Sequence, residues 1–504
     1  MANVAVRSKG CSTCRRRRVK CDQHRPICMR CQKLDLACDG PRDFNFVVGK
    51  IVTSRRKQSS TTKPARPPQK RVDDHVQVYQ SLTPKMTDVG TYICYTQKHL
   101  STRGLFNLAM QDVSLGDLDA LSTSPSSGRL FQKTALTFVL IFFGTQNKHS
   151  DIAAWGYTMY GKALEQLNQD LSEPGSCTRD EVIVSVVTLT LMECLAPTGA
   201  KHYLQHMLGL ERLLELRGPG LYHSPHSLRI YKSIRHMILF ASLRTGSPSI
   251  LAKPEWKTFY RAECKDESEI IEQQLMEFLA DCTVLMAERN ALFTDTQRDN
   301  HLQQQRSDDI KLRALACLSS LDLWRRRWAC DIRNTYLVTS AASFRQHPGP
   351  SWLHDLPSSL TLFEFLDDSA APALMFHSSV LVYILRVLAS LTPECTSDAM
   401  QQTFDHDLSQ EPVSPDDLWT YTKEQFKAAE ILAAWEVMRC LLYFMARRPD
   451  YLASQRSLLQ LALTTIWTIH DETPEGLWMT QFLHTECSAL IPKGLLLVDK
   501  YGHR

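Results

Sequence analysis

Six cysteines near the N-terminus fall into two triplets, Cys11, Cys14, Cys21 and Cys28, Cys31, Cys38. Each triplet is spaced C-x2-C-x6-C, and the second repeats the first at an offset of 17 residues. The stretch has too few large apolar side chains for a core of its own, so metal must supply its folding free energy. Paired C-x2-C cysteines suit a metal better than each other, and disulfides are unstable in a reducing compartment. Zinc takes four ligands in a tetrahedron, with thiolate sulfur at about 2.3 Å. One zinc strands two of the cysteines, and two separate zincs need eight. Two zincs on six thiolates close only if two sulfurs bridge both ions. The repeat predicts which: Cys11, Cys14, Cys21 and Cys28 on one Zn2+, and Cys28, Cys31, Cys38 and Cys11 on the other. Such a cluster carries a charge of −2, and ten Lys and Arg between Arg7 and Lys33 compensate it. Structural zinc contributes about 10–16 kcal/mol to folding.

Charge is distributed unevenly along the rest. Residues 1–72 hold 19 Lys and Arg against 4 Asp and Glu, while the remainder holds 39 against 50. A basic head on an acidic body implies a polyanion partner for the head and other partners for the body. The 504 residues, 43% hydrophobic and 22% charged, suggest about three domains with room for a sizeable core. Residues 1–10 (MANVAVRSKG) lack the apolar stretch of a signal peptide. The other ten cysteines, such as Cys94, Cys194, Cys317 and Cys440, follow no pattern and are expected as small buried hydrophobes. The longest strongly apolar run, residues 135–144, is about half a membrane span. A soluble intracellular protein without a membrane partner is expected.

The two halves of the head differ. After each C-x2-C the first half reads RRRRVK and the second QKLDLA. A short helix is predicted to begin between the paired cysteines of each half. The first presents cations, and the second presents Leu34, Asp35, Leu36 and Ala37 for packing. The first half is therefore expected to face DNA, with the second as its buttress. A helix turns about 100° per residue, so Arg15, Arg16, Arg17 and Arg18 cannot all enter one groove. One or two reach base edges and the others meet phosphates; the same cluster can also serve nuclear import.

The segment CSTCRRRRVKCDQHRPICMRCQKLDLAC resembles the fungal zinc binuclear cluster family of transcription factors. Its loop DQHRPI holds Pro26, where the family usually carries proline, and Arg17, Arg18, Val19, Lys20, Cys21 and Asp22 match the family's basic core. The resemblance implies a nuclear, sequence-specific regulator of RNA polymerase II transcription that binds double-stranded DNA and CGG-like triplets. It places Arg17 and Arg18 on base edges and Arg15 and Lys20 on the backbone, with Arg7 and Lys9 adding phosphate contacts.

Residues 40–75 carry Arg55, Arg56, Lys57, Lys63, Arg66, Lys70 and Arg71 among Pro64, Pro67 and Pro68. This composition predicts an extended basic tether, which either trails along phosphates or solubilises the chain. Many family members follow the cluster with a coiled coil, yet residues 72–88 show no sustained heptad. The protein is expected to act as a monomer or to form a homodimer through its large domain.

From about 88 to 500, apolar-periodic stretches alternate with Gly and Pro breaks. Helices are predicted over roughly 131–145, 151–171, 180–195, 202–218, 225–243, 268–291, 309–340, 373–391, 422–446, 453–470 and 476–490. The clearest has a stripe of Tyr203, Met207, Leu210 and Leu214 flanked by Leu204, Leu208 and Leu213, and Gly218 stops it. VIVSVVTLTL (182–191) is rich in β-branched residues but has no obvious strand partner nearby, so it is read as helix. Residues 130–255 resemble the helical regulatory domain of the same fungal factors, with His206, Leu208, Gly209, Arg217, Gly218 and Pro219 in register. The expected fold class is mainly α. Residues 1–40 form a small two-zinc module with two short helices, 41–87 a basic disordered linker, and 88–504 an all-helical regulatory domain.

No phosphate-binding loop, nucleophile elbow or dinucleotide fingerprint is present, and an enzyme is not expected. His202 and His206 are spaced for metal, but the glutamate of a zinc protease is missing, so both are read as structural. Residues 404–419 mix five acids with Phe404, Leu408 and Trp419, a composition that suits either transcriptional coregulators or an exposed loop. The helical body is also a candidate to enclose a small-molecule pocket. The alternative from another class is a helical scaffold or enzyme that uses a zinc module for protein interaction.

Overall fold

The computed structural model describes residues 12–17, 19–22, 28–34, 36, 38, 89–100, 110, 129–173, 175, 179–199, 202–220, 225–294, 300–344, 351–393, 420–447, 456–469 and 471–487. The expected linker, the segment 72–88 and the acidic segment 404–419 lie outside them. The chain divides into two compact units, the first taking in residues 1–84 with 164–172 and the second the remainder.

In the head, α1 (Ser12–Arg16) and α2 (Met29–Lys33) each begin between paired cysteines, as the sequence predicts. The two helices keep the 17-residue offset of the repeat. So do their hydrogen bonds: Val19 N donates to the Cys14 carbonyl and Leu36 N to the Cys31 carbonyl, both at 3.0 Å.

The body is helical throughout most of its length. Its elements are α3 (Val89–His99), α4 (Leu130–Gln146), α5 (Ser150–Asp170), α6 (Asp180–Leu195), α7 (His202–Arg217), α8 (Pro225–Thr245), α9 (Pro254–Ala262), α10 (Glu267–Thr294) and α11 (Asn300–Ala329). A strand pair and four longer helices follow: β1 (Tyr336–Ser340), a single turn α12 (Ala341–Phe344), β2 (Thr361–Phe365), α13 (Ala370–Leu391), α14 (Lys423–Arg447), α15 (Arg456–Trp467) and α16 (Pro474–Phe482). Packing runs from neighbour to neighbour, α4 on α6, α6 on α7, α7 on α8 and α8 on α10. It ends on α13, which meets α10, α11, α14 and α15. Among the described residues α13 is the one helix long and apolar enough to cross a membrane, and it is mostly buried as the central helix of this bundle.

The β-branched segment 182–191 is helical, inside α6. Ser185, Thr188 and Thr190 return their hydroxyls to the carbonyls of Glu181, Val184 and Val186, one turn back. That satisfies the polar groups of a helix buried on most of its faces. The stripe predicted on α7 is buried, with Tyr203, Met207, Leu210 and Leu214 all inside. Leu208, expected beside that stripe, is 40% exposed. Gly218 ends α7 at φ +77°, a conformation that favours glycine, and its N–H reaches the Leu214 carbonyl at 2.9 Å.

The helix expected over 309–340 is present only as far as Ala329, where α11 stops. Asp331 starts a separate short turn by accepting from Arg333 N at 2.9 Å. The β-branched residues that follow form β1, which pairs antiparallel with β2 in the register Val338↔Phe363. The partner strand lies more than twenty residues further on, and no local periodicity announces it.

Candidate metal centre and DNA-binding head

Three of the six cysteines converge on one point. Cys14, Cys28 and Cys31 are buried with their sulfurs within 4.8 Å of one another. Cys14 Sγ lies 3.7 Å from Cys28 Sγ and 3.9 Å from Cys31 Sγ. All five described head cysteines are free of disulfide bonds. Two sulfurs on one tetrahedral zinc, each at about 2.3 Å, lie roughly 3.8 Å apart, so the Cys14–Cys28 separation fits a pair sharing one ion. Cys21 and Cys38 pack against the three from the third position of each triplet, alongside Val19 and Leu36. Cys11 lies outside the described residues.

Local hydrogen bonds lock the two halves together. The Cys28 sulfur caps α2 by accepting from Cys31 N at 3.3 Å. Asp22, at the end of the first half, accepts from Met29 N at 3.0 Å and Arg30 N at 2.9 Å, the first amides of α2. Arg30 returns a bond from its guanidinium to the Lys20 carbonyl at 3.0 Å. Sequence reasoning matched Asp22 to a motif without giving it this role. Its signal was a carboxylate seven residues before a helix start.

Arg16, Arg17 and Lys20 are exposed on the first half, where the sequence expects a cationic surface. Arg15 contributes main chain to α1; its side chain and all of Arg18 lie outside the described residues. The expectation of packing by the second half holds for Leu36 and fails for Leu34, which is 52% exposed. Among the described residues, one apolar residue per half, Val19 and Leu36, packs against the sulfurs, and Leu34 sits past the end of α2.

His202 and His206 join a polar cluster in the body rather than a metal site. The Tyr160 hydroxyl lies 2.8 Å from Glu193 Oε1 and 3.1 Å from His206 Nε2. Thr198 donates its N–H to Glu193 Oε2 at 2.8 Å, and its hydroxyl meets His202 Nδ1 at 2.7 Å. Burial drives the His206 pKa down to about 4. Burial alone would raise Glu193, but hydrogen bonds from His202, Thr198 and Tyr160 outweigh it and lower the pKa. Among the described residues, the head cysteines are the group of three or more ligating atoms that converge closely enough for a metal.

Two family profiles match the chain. The fungal Zn(2)-Cys(6) binuclear cluster domain covers residues 9–44, and the fungal specific transcription factor domain covers residues 135–412, more than half of the chain. The second extends well past residue 255, where the sequence resemblance fades to the eye. An uncharacterized protein of Emericella nidulans is 30% identical over 103 residues, 20% of this chain and 21% of its own. An uncharacterized transcriptional regulatory protein of Schizosaccharomyces pombe is 47% identical over 47 residues, 9% of each chain. Sterol uptake control protein 2 of Candida albicans is 66% identical over 29 residues, 6% of this chain and 4% of its own. The chain thus spans about a fifth or less of the length of these curated relatives. No solved structure matches. The matched head domain is one that binds two zinc ions through six cysteines, and the converging sulfurs here suit that donor set. A mainly helical body behind a zinc thiolate head, with both profiles in that order, makes this chain a member of the fungal Zn(2)-Cys(6) transcription factors that carry the fungal specific transcription factor domain.

Proposed function

We propose that this protein is a nuclear, sequence-specific regulator of RNA polymerase II transcription that reads CGG-like triplets in the major groove of double-stranded DNA. In this reading residues 1–40 are the DNA-binding module, 41–87 a basic tether and 88–504 the regulatory body. Cys11, Cys14, Cys21, Cys28, Cys31 and Cys38 hold two Zn2+, with Cys11 and Cys28 shared. Arg17 and Arg18 meet base edges, and Arg15 and Lys20 meet phosphates. When bound, the ions supply the folding free energy that the head's small interior lacks.

One observation carries the reading: the short segment that supplies Cys14 to a buried knot of Cys14, Cys28 and Cys31 sulfurs also exposes Arg16, Arg17 and Lys20. Arginine pairs bidentately with guanine O6 and N7, which is how a cationic helix end acquires base preference. The description of the S. pombe relative as a transcriptional regulatory protein agrees with it, through a match over 47 residues. Homodimerisation and contact with coregulators would fall to the body.

Binding-site selection with the full-length protein, before and after chelation, tests this. A CGG-containing consensus that disappears when zinc is removed is the expected result, with about two zincs per chain by elemental analysis. Equal binding to all duplexes would overturn the DNA reading. One zinc per chain would overturn the shared-sulfur scheme.

A further inference from the structure

A second cluster, in the body, has an excess of buried positive charge. Arg325 on α11 keeps only 6% of its side chain exposed. Its Nη2 donates to Tyr336 Oη and to Glu436 Oε1, both at 3.0 Å. Its Nη1 is buried with no acceptor. Three residues after Glu436 on α14 comes Arg439, whose Nε is likewise buried with no acceptor. The other oxygen of Glu436 already accepts from Ser378 on α13. Burial pushes the Cys440 thiol up, and Glu436, Arg325 and Arg439 all act on it, which puts the three charges in one neighbourhood. Two guanidiniums thus face one carboxylate, and the adjacent His377 adds no further positive charge because burial holds it neutral.

The surroundings are aromatic. The Arg325 guanidinium lies 4.7 Å from the Trp328 ring and 5.9 Å from the Tyr336 ring. Arg439 lies 5.5 Å from the Phe363 ring, which β1–β2 pairing brings 4.5 Å from Tyr336. Glu436, with 19% of its side chain exposed, and Arg439 keep this cluster in touch with solvent. Buried donors without acceptors and buried charge without a counter-charge are both unfavourable, and one bound anion relieves both. A carboxylate matches the guanidinium fork. A monoanion balances the single excess charge, whereas a phosphate dianion overshoots it. An apolar tail suits the rings.

We propose that Arg325 and Arg439 form the recognition pair of a site for a small organic carboxylate, closed over by the β1–β2 pair. Arg325 lies within residues 135–412, the span of the family match, while Glu436 and Arg439 lie beyond it, so the matched span alone does not contain the site. It stands apart from the DNA-binding reading, and its readouts involve no DNA.

The test uses full-length protein with acetate, butyrate and inorganic phosphate, at ionic strength held constant with sodium chloride. Acetate or butyrate should raise the melting temperature saturably, as a ligand of the native state does, with one binding event per chain by calorimetry. Arg439→Met should weaken that binding at least tenfold. In the unaltered protein, the carboxylate should slow modification of Arg439 by phenylglyoxal several-fold, followed by mass spectrometry. The proposal is overturned if neither carboxylate gives a saturable shift, if phosphate does as well as either, or if Arg439 is modified at the same rate with and without carboxylate.

Discussion

The carboxylate of Asp22 accepts the backbone N–H of Arg30 at 2.9 Å, so the last residue of the head's first half caps the helix of its second. The contact joins two segments that also meet, among the described residues, at the cysteine cluster and the Arg30–Lys20 bond. Asp22→Ala removes an acceptor worth about 1 kcal/mol at a helix start, roughly fivefold in an equilibrium constant. Because folding and metal binding are one process in such a module, zinc retention should weaken by a similar factor. Competition with a chromophoric chelator measures it; unchanged retention would assign the cap no energetic role.

Arg17 and Lys20 are both exposed on the head but are predicted to fail differently. Arg17→Ala should relax base preference at one position by about 1–3 kcal/mol. Lys20→Ala should weaken all duplexes alike and reduce the salt slope by about 0.9. The Lys20 carbonyl that holds Arg30 survives the substitution, so the fold should be unaffected. Fluorescence anisotropy on matched and mismatched duplexes across a salt series separates the two.

Arg217 at the end of α7 pairs with Asp180 at the start of α6, with Tyr231 bonded to both. The arginine side chain is 1% exposed and the aspartate 30%. Removing the carboxylate strips the counter-charge from the more buried partner, so Asp180→Ala should cost about 3 kcal/mol. Arg217→Met leaves the charge that remains nearer to water and should cost less. Urea unfolding of the two variants should rank them in that order.

His206 should make the body acid-sensitive. An unfolded histidine titrates near 6.5, and burial lowers this one to about 4 despite the opposing field of Glu193, with His202 acting in the same direction as burial. Between those values the folded state binds fewer protons than the unfolded state. Its contribution is therefore complete above pH 6.5 and is lost as pH falls toward 4. The loss at pH 5 is on the order of 2 kcal/mol. His206→Phe should flatten the decline in stability between pH 7 and 5, as read by denaturant melts at each pH. An unchanged slope would place the acid sensitivity elsewhere, with His236, driven by burial to about 3, next in line.

Legibility followed the range of the interactions. Both head helices and the Gly218 stop were readable because each rests on residues within a few positions of one another, and the sulfur cluster because the repeated cysteine spacing is itself the signal. The helix over 182–191 was readable against its β propensity, and the back-bonded hydroxyls of Ser185, Thr188 and Thr190 explain why it is stable. Leu34 and Leu208 were misjudged because periodicity says which residues could face inward, not whether a neighbour arrives to cover them.

Cysteine spacing and the charge around it determined, by themselves, that the head is a metal-folded cationic module, since a tetrahedral ion accepts ligands by type and count, and the repeat supplies both. Tertiary structure alone decided that residues 336–340 are a strand, because their partner lies at 361–365. It alone brought Arg325 to Glu436 across 111 positions of chain. Such encounters depend on how helices pack, and packing is settled by the whole core rather than by any window of sequence.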